Sequence, residues 1–252
     1  MVFLAKASSA KEWKRVAAAI GHLVEEASFD ASPEEISFRA MDPSHVAMID
    51  LVWPNTAFEK YECDKQFRFT VRVDDLVKVL RRAESKDAIE LSAADDQTLI
   101  FKIFDGYRRE FKIHLVESTA APTPIPKLSF NAKLQAIQGT IEKMLNDISV
   151  VSDHVIIEAG KDKVILSGKS DHGSAAVELE KGSPDLPLYE VKEESKATYS
   201  IDYLLNISKA AASVTDSITC EYSNKMPLRM EFKLAETGGQ IHFYLAPRVE
   251  EK

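Results

Sequence analysis

Cysteine is scarce in this chain: two in 252 residues, Cys63 and Cys220, in no metal-binding or redox spacing. That excludes a disulfide framework and a cysteine-built zinc site, and predicts two plain core or strand residues. No apolar run approaches the ~20 residues that span a bilayer. The opening MVFLAKASS turns polar too soon for a secretory signal, so a cytoplasmic protein is expected, with no membrane partner. A glycine-rich phosphate loop, HExxH and GxSxG are all missing, which removes three common signatures of enzyme chemistry. No cofactor, metal site or catalytic residue is expected. Cations are in deficit, 32 Lys and Arg against 40 Asp and Glu, for a net charge of −8. A protein coated in nucleic-acid-binding charge is excluded, but a single basic face is not.

What is present suits a large soluble core, with 45% hydrophobic residues. Near the midpoint, VESTAAPTPIPKLS carries Pro122, Pro124 and Pro126, which exclude helix and central strand and predict an extended linker. Domains are therefore expected at 1–116 and 130–252, joined by a connector at 117–129. The halves repeat one order of elements. Trp13, Val16, Ile20, Leu23 and Val24 have the spacing of a helix, and so do Leu134, Ile137, Ile141, Met144 and Leu145. A strand runs into a second helix in FTVRVDDLVKVLRRA and again in ATYSIDYLLNISKAA. Alternating segments such as Leu99, Phe101, Ile103 and Leu228, Met230, Phe232 predict strands. The repeat is far longer than the ~20–50 residues of a solenoid unit, so the fold class expected is α+β: two similar domains, each two helices packed on antiparallel sheet.

Opposite their apolar stripes the predicted helices carry cations. Lys11, Arg15, Ala18 and His22 share the first such face, with Lys14 at its edge, and Lys78, Arg81 and Arg82 share the second. The third is read as turning Ala132, Ala136, Gly139, Lys143 and Asn146 outward, the fourth Asn206, Lys209 and Ala210. Acid is expected to be sparse on all four. One such face is an ordinary solvated surface, whereas four together in an acidic protein suit contact with phosphates in any sequence.

The segment MDPSHVAMIDLVWP sets His45 between a turn and a buried strand. On its own it is compatible with a base, a metal ligand, a satisfied turn residue or a pocket wall. SDHGS, 170–174, gathers Ser, Asp and His, yet neighbours in sequence seldom form a triad, and a turn between strands is the expected reading. Asp95 and Asp96 read as a hairpin tip. An enzyme of unrecognised type is the rival from another class.

KEWKRVAAAIGHLVEEASF, MDPSHVAMIDLVWP, VDDLVKVLRRA, MPLRMEFKL and YLAPRVEEK together resemble the sliding clamps of the proliferating cell nuclear antigen type, archaeal in style, across essentially the whole chain. The resemblance implies a ring of three two-domain subunits, homotrimeric or heterotrimeric, that encircles duplex DNA as a polymerase processivity factor. The helix cations Lys11, Lys14, Arg15, His22, Lys78, Arg81, Arg82, Lys143 and Lys209 would face the DNA. It also implies a pocket for a short peptide motif of the replicative polymerase, clamp loader, flap endonuclease and DNA ligase. Carried over, that pocket is Met41, His45, Val46, Met48, Ile125, Leu128, Pro227, Tyr244, Leu245, Ala246 and Pro247. The subunit contact would set Arg109, Phe111, Ile113 and Leu115 beside Ala175, Val177 and Leu179 of the next copy.

Overall fold

The computed structural model describes residues 2–117, 123–212, 215–234 and 238–249. Pro122 of the linker lies outside these, and 123–130 adopt no regular structure. Two compact units emerge: Met1–Thr123 with Lys233–Ile241, and Pro124–Phe232 with His242–Lys252. In the first half the elements are β1 (Phe3–Ala7), α1 (Lys11–Gly21), β2 (Glu26–Ala31), β3 (Glu35–Met41), β4 (Ala47–Pro54), β5 (Lys60–Glu62), β6 (Phe67–Arg72), α2 (Val73–Leu80), β7 (Ala88–Ala93), β8 (Thr98–Asp105) and β9 (Tyr107–His114). The second half has β10 (Ala132–Ile137), α3 (Gln138–Ser149), β11 (His154–Ala159), β12 (Lys163–Ser170), β13 (Gly173–Glu180), β14 (Leu188–Val191), β15 (Ser195–Ser200), α4 (Ile201–Ala212), β16 (Ser217–Tyr222), β17 (Leu228–Leu234) and β18 (Gly239–Leu245).

The repeat extends to strand order. Strands of the first half run β5-β1-β7-β8-β9 and β4-β3-β2-β6; those of the second half, β14-β10-β16-β17-β18 and β13-β12-β11-β15. The two orders agree element for element, and the paired strands run antiparallel. The first core is aromatic, with Trp13 on Trp53 at 4.7 Å and Phe29 on Phe69 at 5.2 Å between centroids. Each such buried side chain stabilises the unit by roughly 1.5–3 kcal/mol. The second relies on aliphatic residues around Tyr199 and Tyr222, both fully buried.

Two helix expectations are corrected. Leu134 is not helical: β10 buries Ala132, Leu134 and Ala136 and turns Lys133 and Gln135 outward, so α3 starts only at Gln138. A period of 2 running into a period of 3.6 at Ile137 imitates a longer helix. Leu23 and Val24 likewise follow the end of α1 at Gly21, where the chain turns toward β2.

Glycine matters most at Gly168 in β12. A Cβ there would meet Ile148 Cγ2 at 2.6 Å and Ser152 Cβ at 2.8 Å, where the end of α3 presses on the strand. Gly168→Ala is expected to destabilise the protein by about 1–3 kcal/mol through overpacking, seen as a lower denaturant midpoint at unchanged m-value.

Candidate functional site

Helices α1 and α2 pack together in the first unit, α3 and α4 in the second. The cations of the first pair differ in freedom. Lys14 Nζ donates to Ala83 O at 2.7 Å, and Arg15 Nη1 pairs with the buried carboxylate of Glu12 at 3.1 Å. Both are tied into the fold, contrary to the expected open basic face. Lys11 is half-buried and His22 exposed at the C-cap of α1. Lys78, Arg81 and Arg82 are exposed at the carboxyl end of α2, where positive charge complements the helix dipole. Between α1 and α2 lies a groove of about 880 Å³, bordered by Gly21, His22 and Arg81. Arg72, at the N-cap of α2, also borders it and escapes sequence reasoning, because a strand-end cation has no helical period. Glu25, Glu26 and Asp74 line the same groove, so acid is not sparse here.

Backbone carbonyls after α2 receive a set of donors. Arg109 Nη1 donates to Arg82 O, Ser9 Oγ to Ser85 O at 2.6 Å, and Ala10 N to Asp87 O at 2.8 Å. Arg109 also pairs with Asp87 at 2.9 Å, a carboxylate 1% exposed. Removing either partner of such a buried pair costs roughly 3–5 kcal/mol.

In the second unit Gly139, Lys143, Asn146, Asn206 and Lys209 are exposed. Ala132, Ala136 and Ala210 are not outward as expected: the first two sit on the buried face of β10, and Ala210 is fully buried. Gln138 Nε2 joins the two helices through Ser208 O at 3.0 Å.

The MDPSHV turn is organised by a residue that sequence reasoning passes over. Asp42, 5% exposed, accepts from the amides of Ser44 (3.0 Å), Val46 (2.7 Å) and Ala47 (2.7 Å). His45 N donates to Asp42 O, and His45 itself holds φ 57, a left-handed conformation costly for a side chain with a Cβ. Its imidazole is exposed. Beside the turn, Arg39 pairs with Asp50 at 2.8 Å and donates to Thr123 O at 3.1 Å, fixing the start of the connector in this unit. Met41 and Val46 are half-buried and Met48 is 4% exposed.

Among the expected pocket residues of the second unit, Ile125 is 47% exposed, Ala246 is exposed, and Leu128, Pro227 and Pro247 are half-buried. Leu245 is fully buried and Tyr244 nearly so. Those two, and Met48 in the first unit, are therefore core residues and not pocket walls as expected.

Edge strands carry the remaining candidates. β6 and β15, which lead into helices, are covered on their outer flanks: Val116 N donates to Thr70 O at 2.9 Å and Arg248 N to Thr198 O at 2.7 Å. β5 and β14 are short. Among the described residues β9 and β13, eight residues each, have one strand neighbour apiece. Leu115 N donates to Gln97 O and Lys181 N to Asp162 O, in register with the ladders. Antiparallel alternation then turns the amides of Arg109, Phe111 and Ile113, and of Ala175, Val177 and Leu179, inward. The outward amides belong to Glu110, Lys112, Ala176 and Glu178.

Ser170–Gly173 form a turn between strands, with His172 N on Ser170 Oγ, and Asp95 accepts from the amides of Gln97 and Thr98 at its hairpin tip. Burial pushes the Cys220 thiol up to about 12 and raises Cys63 as well, so neither is a nucleophile at neutral pH. Among the described residues no helix is long and apolar enough to cross a membrane, and no group of three His, Cys, Asp or Glu side chains is placed to hold a metal ion.

This arrangement has relatives. Residues 2–117 match the family model of the proliferating cell nuclear antigen N-terminal domain, and 124–248 that of its C-terminal domain. The chain belongs to the proliferating cell nuclear antigen family. It is 47% identical to a DNA polymerase sliding clamp of Cenarchaeum symbiosum over 99% of both chains. It is 45% identical to one of Nitrosopumilus maritimus, over 99% of this chain and 100% of that one. Among solved structures it is similar to the Thermococcus kodakaraensis antigen, with TM-score 0.92 and 25% identity over 98% of this chain and 100% of that one.

The turn supplies a test within this family member. Asp42→Ala is expected to cost about 1.5–3 kcal/mol by leaving charged-acceptor hydrogen bonds unmade, whereas His45→Gly, which relieves the left-handed backbone, is expected within about 0.5 kcal/mol of wild type. Chemical denaturation of both variants checks it, and equal losses would remove Asp42 as organiser.

Proposed function

We propose that the chain is a DNA polymerase sliding clamp, a non-catalytic processivity factor whose copies close into a ring around duplex DNA without reading its sequence. The observation that carries this is the pair of uncovered eight-residue edges, β9 and β13. In the repeat β9 is the counterpart of β18, and β13 of β4. Inside the first unit Gly239, at the start of β18, lies against Trp53 of β4. β9 and β13 are the same two strands without that neighbour, and a second copy supplies it. The exposed side chains of β9 include Arg108, Glu110, Lys112 and His114, a cationic excess, and those of β13 include Glu178 and Glu180. Repetition of one such heterologous contact closes a ring, three copies by the family resemblance.

The exposed cations of the helices, Arg81, Arg82, Lys143, Lys209 and Lys78, the last paired with Asp75 at 3.4 Å, then serve the enclosed duplex. Long flexible ammonium and guanidinium groups neutralise phosphates but hold no register on base edges. Polymerase, clamp loader, nuclease and ligase dock through a short peptide that meets Ile125, Leu128, Pro227 and Ala246 of the second unit.

Assembly is tested by proline at outward amides. Lys112→Pro and Ala176→Pro are each expected to turn a trimer into monomers in sedimentation while leaving the protein folded, since only the intermolecular ladder loses a donor. Ile113→Pro is expected instead to damage the fold, through the bond to β8. Trimers in both outward variants would overturn the edge pairing.

DNA contact is tested by salt. Replacing Lys78, Arg81, Arg82, Lys143 and Lys209 by Ala is expected to flatten the slope of log K against log salt by about 0.9 for each phosphate no longer neutralised, equally on unrelated duplexes. An unchanged slope would place the DNA elsewhere.

A further inference from the structure

The connector ends at an uncommon cluster in the second unit. Phe130, the last residue before the chain turns into β10, lies under Arg229 of β17, with the guanidinium carbon 4.9 Å from the ring centroid. Arg229 Nε donates to Glu221 Oε2 at 2.8 Å, its Nη2 reaches the same oxygen, and it is hydrogen-bonded to Tyr244. Lys133 Nζ approaches the other carboxylate oxygen of Glu221 at 3.7 Å. One hydroxyl closes the backbone beside them: Ser223 Oγ donates to Ser129 O at 3.0 Å and accepts from Asn131 N at 2.9 Å. Arg229 lies in the MPLRMEFKL segment, but nothing in the sequence connects it to Phe130 or Glu221.

We propose that Arg229 is a positioning residue that clamps the carboxyl end of the connector through Phe130, and thereby presents Ile125 and Leu128 to an incoming peptide. The presentation half rests on the docking reading above. Ile125 and Lys127 are exposed and the segment has no regular structure, so ordering it costs conformational entropy when a peptide docks. A guanidinium fixed by Glu221 and Tyr244 and stacked on Phe130 meets part of that cost beforehand. Arginine suits the place because its planar fork pairs with the carboxylate in plane and stacks on the ring face.

The test uses trypsin cleavage after Lys127, which reports on connector opening without any ligand. Arg229→Met, made together with Glu221→Gln so that no buried carboxylate loses its partner, and separately Phe130→Leu, are compared with wild type by circular dichroism and melting to confirm folding. Each is expected to speed cleavage at Lys127 by about 3- to 10-fold. Each is also expected to weaken a peptide carrying a glutamine, an aliphatic residue and two adjacent aromatics by a similar factor in calorimetry. Combining them is expected to add little to either alone, because both break one contact. Phe130→Tyr, which keeps the ring, is expected to behave as wild type. Unchanged cleavage in folded variants, or fully additive effects, would overturn the clamp. Faster cleavage with no peptide binding even by wild type upholds the clamp and overturns the docking reading.

Discussion

A β-strand offers hydrogen-bonding groups on both flanks, and the described strands of this chain are arranged around that constraint. Interior flanks pair with neighbouring strands. The outer flanks of β6 and β15 are met by the segments around Val116 and Arg248, at equivalent places in the two units. β5 and β14 are short. What is left is β9 and β13, long and regular. A monomer would leave two such edges to aggregate; a ring satisfies both with one repeated contact. The duplication therefore does more than enlarge the chain, since it leaves two unlike strands, β9 and β13, at the ends of their sheets.

The helices follow from the same geometry. In each unit a strand leads directly into a helix, β6 into α2 and β15 into α4, with Asp74 and Asp202 in the first turns where the helix dipole favours acid. Apolar stripes bind the helices to the sheets, which leaves one face per helix free of packing duties. Lys143 and Lys209 can stand there in an otherwise acidic protein because nothing in the core depends on them.

The fold is largely legible in the sequence because period 2 and period 3.6 are read locally. FTVRVDDLVKVLRRA shows its switch at Val73, and the alternation of Leu99, Phe101 and Ile103 survives intact in β8. Leu134 misleads for the opposite reason: a strand and a helix joined without a turn mimic one longer helix, and spacing alone does not mark the seam. The candidate surfaces are less legible. Residue type identifies Lys14 and Arg109 as exposed cations, yet the partners that engage them, Ala83 O and Asp87, lie far away in sequence. Asp42 looks like turn punctuation beside Pro43, and only three converging amides reveal it as the centre of the turn. Leu245 reads as a pocket wall, but the phase of β18 buries it.

The loop after α2 unites these points. Its carbonyls at Arg82, Ala83, Ser85 and Asp87 accept donors from β9, from α1 and from the approach to α1. The end of α2 and the edge strand β9 are therefore parts of one hydrogen-bonded body. Lys14 and Arg109 hold that body together, whereas Arg81 and Arg82 extend from it as long, exposed side chains. A clamp that slides needs both properties at once: a frame stiff enough to stay closed, and contacts loose enough to have no preferred register. Rigidity here resides in backbone carbonyls with fixed donors, and looseness in long side chains beyond them, so neither compromises the other.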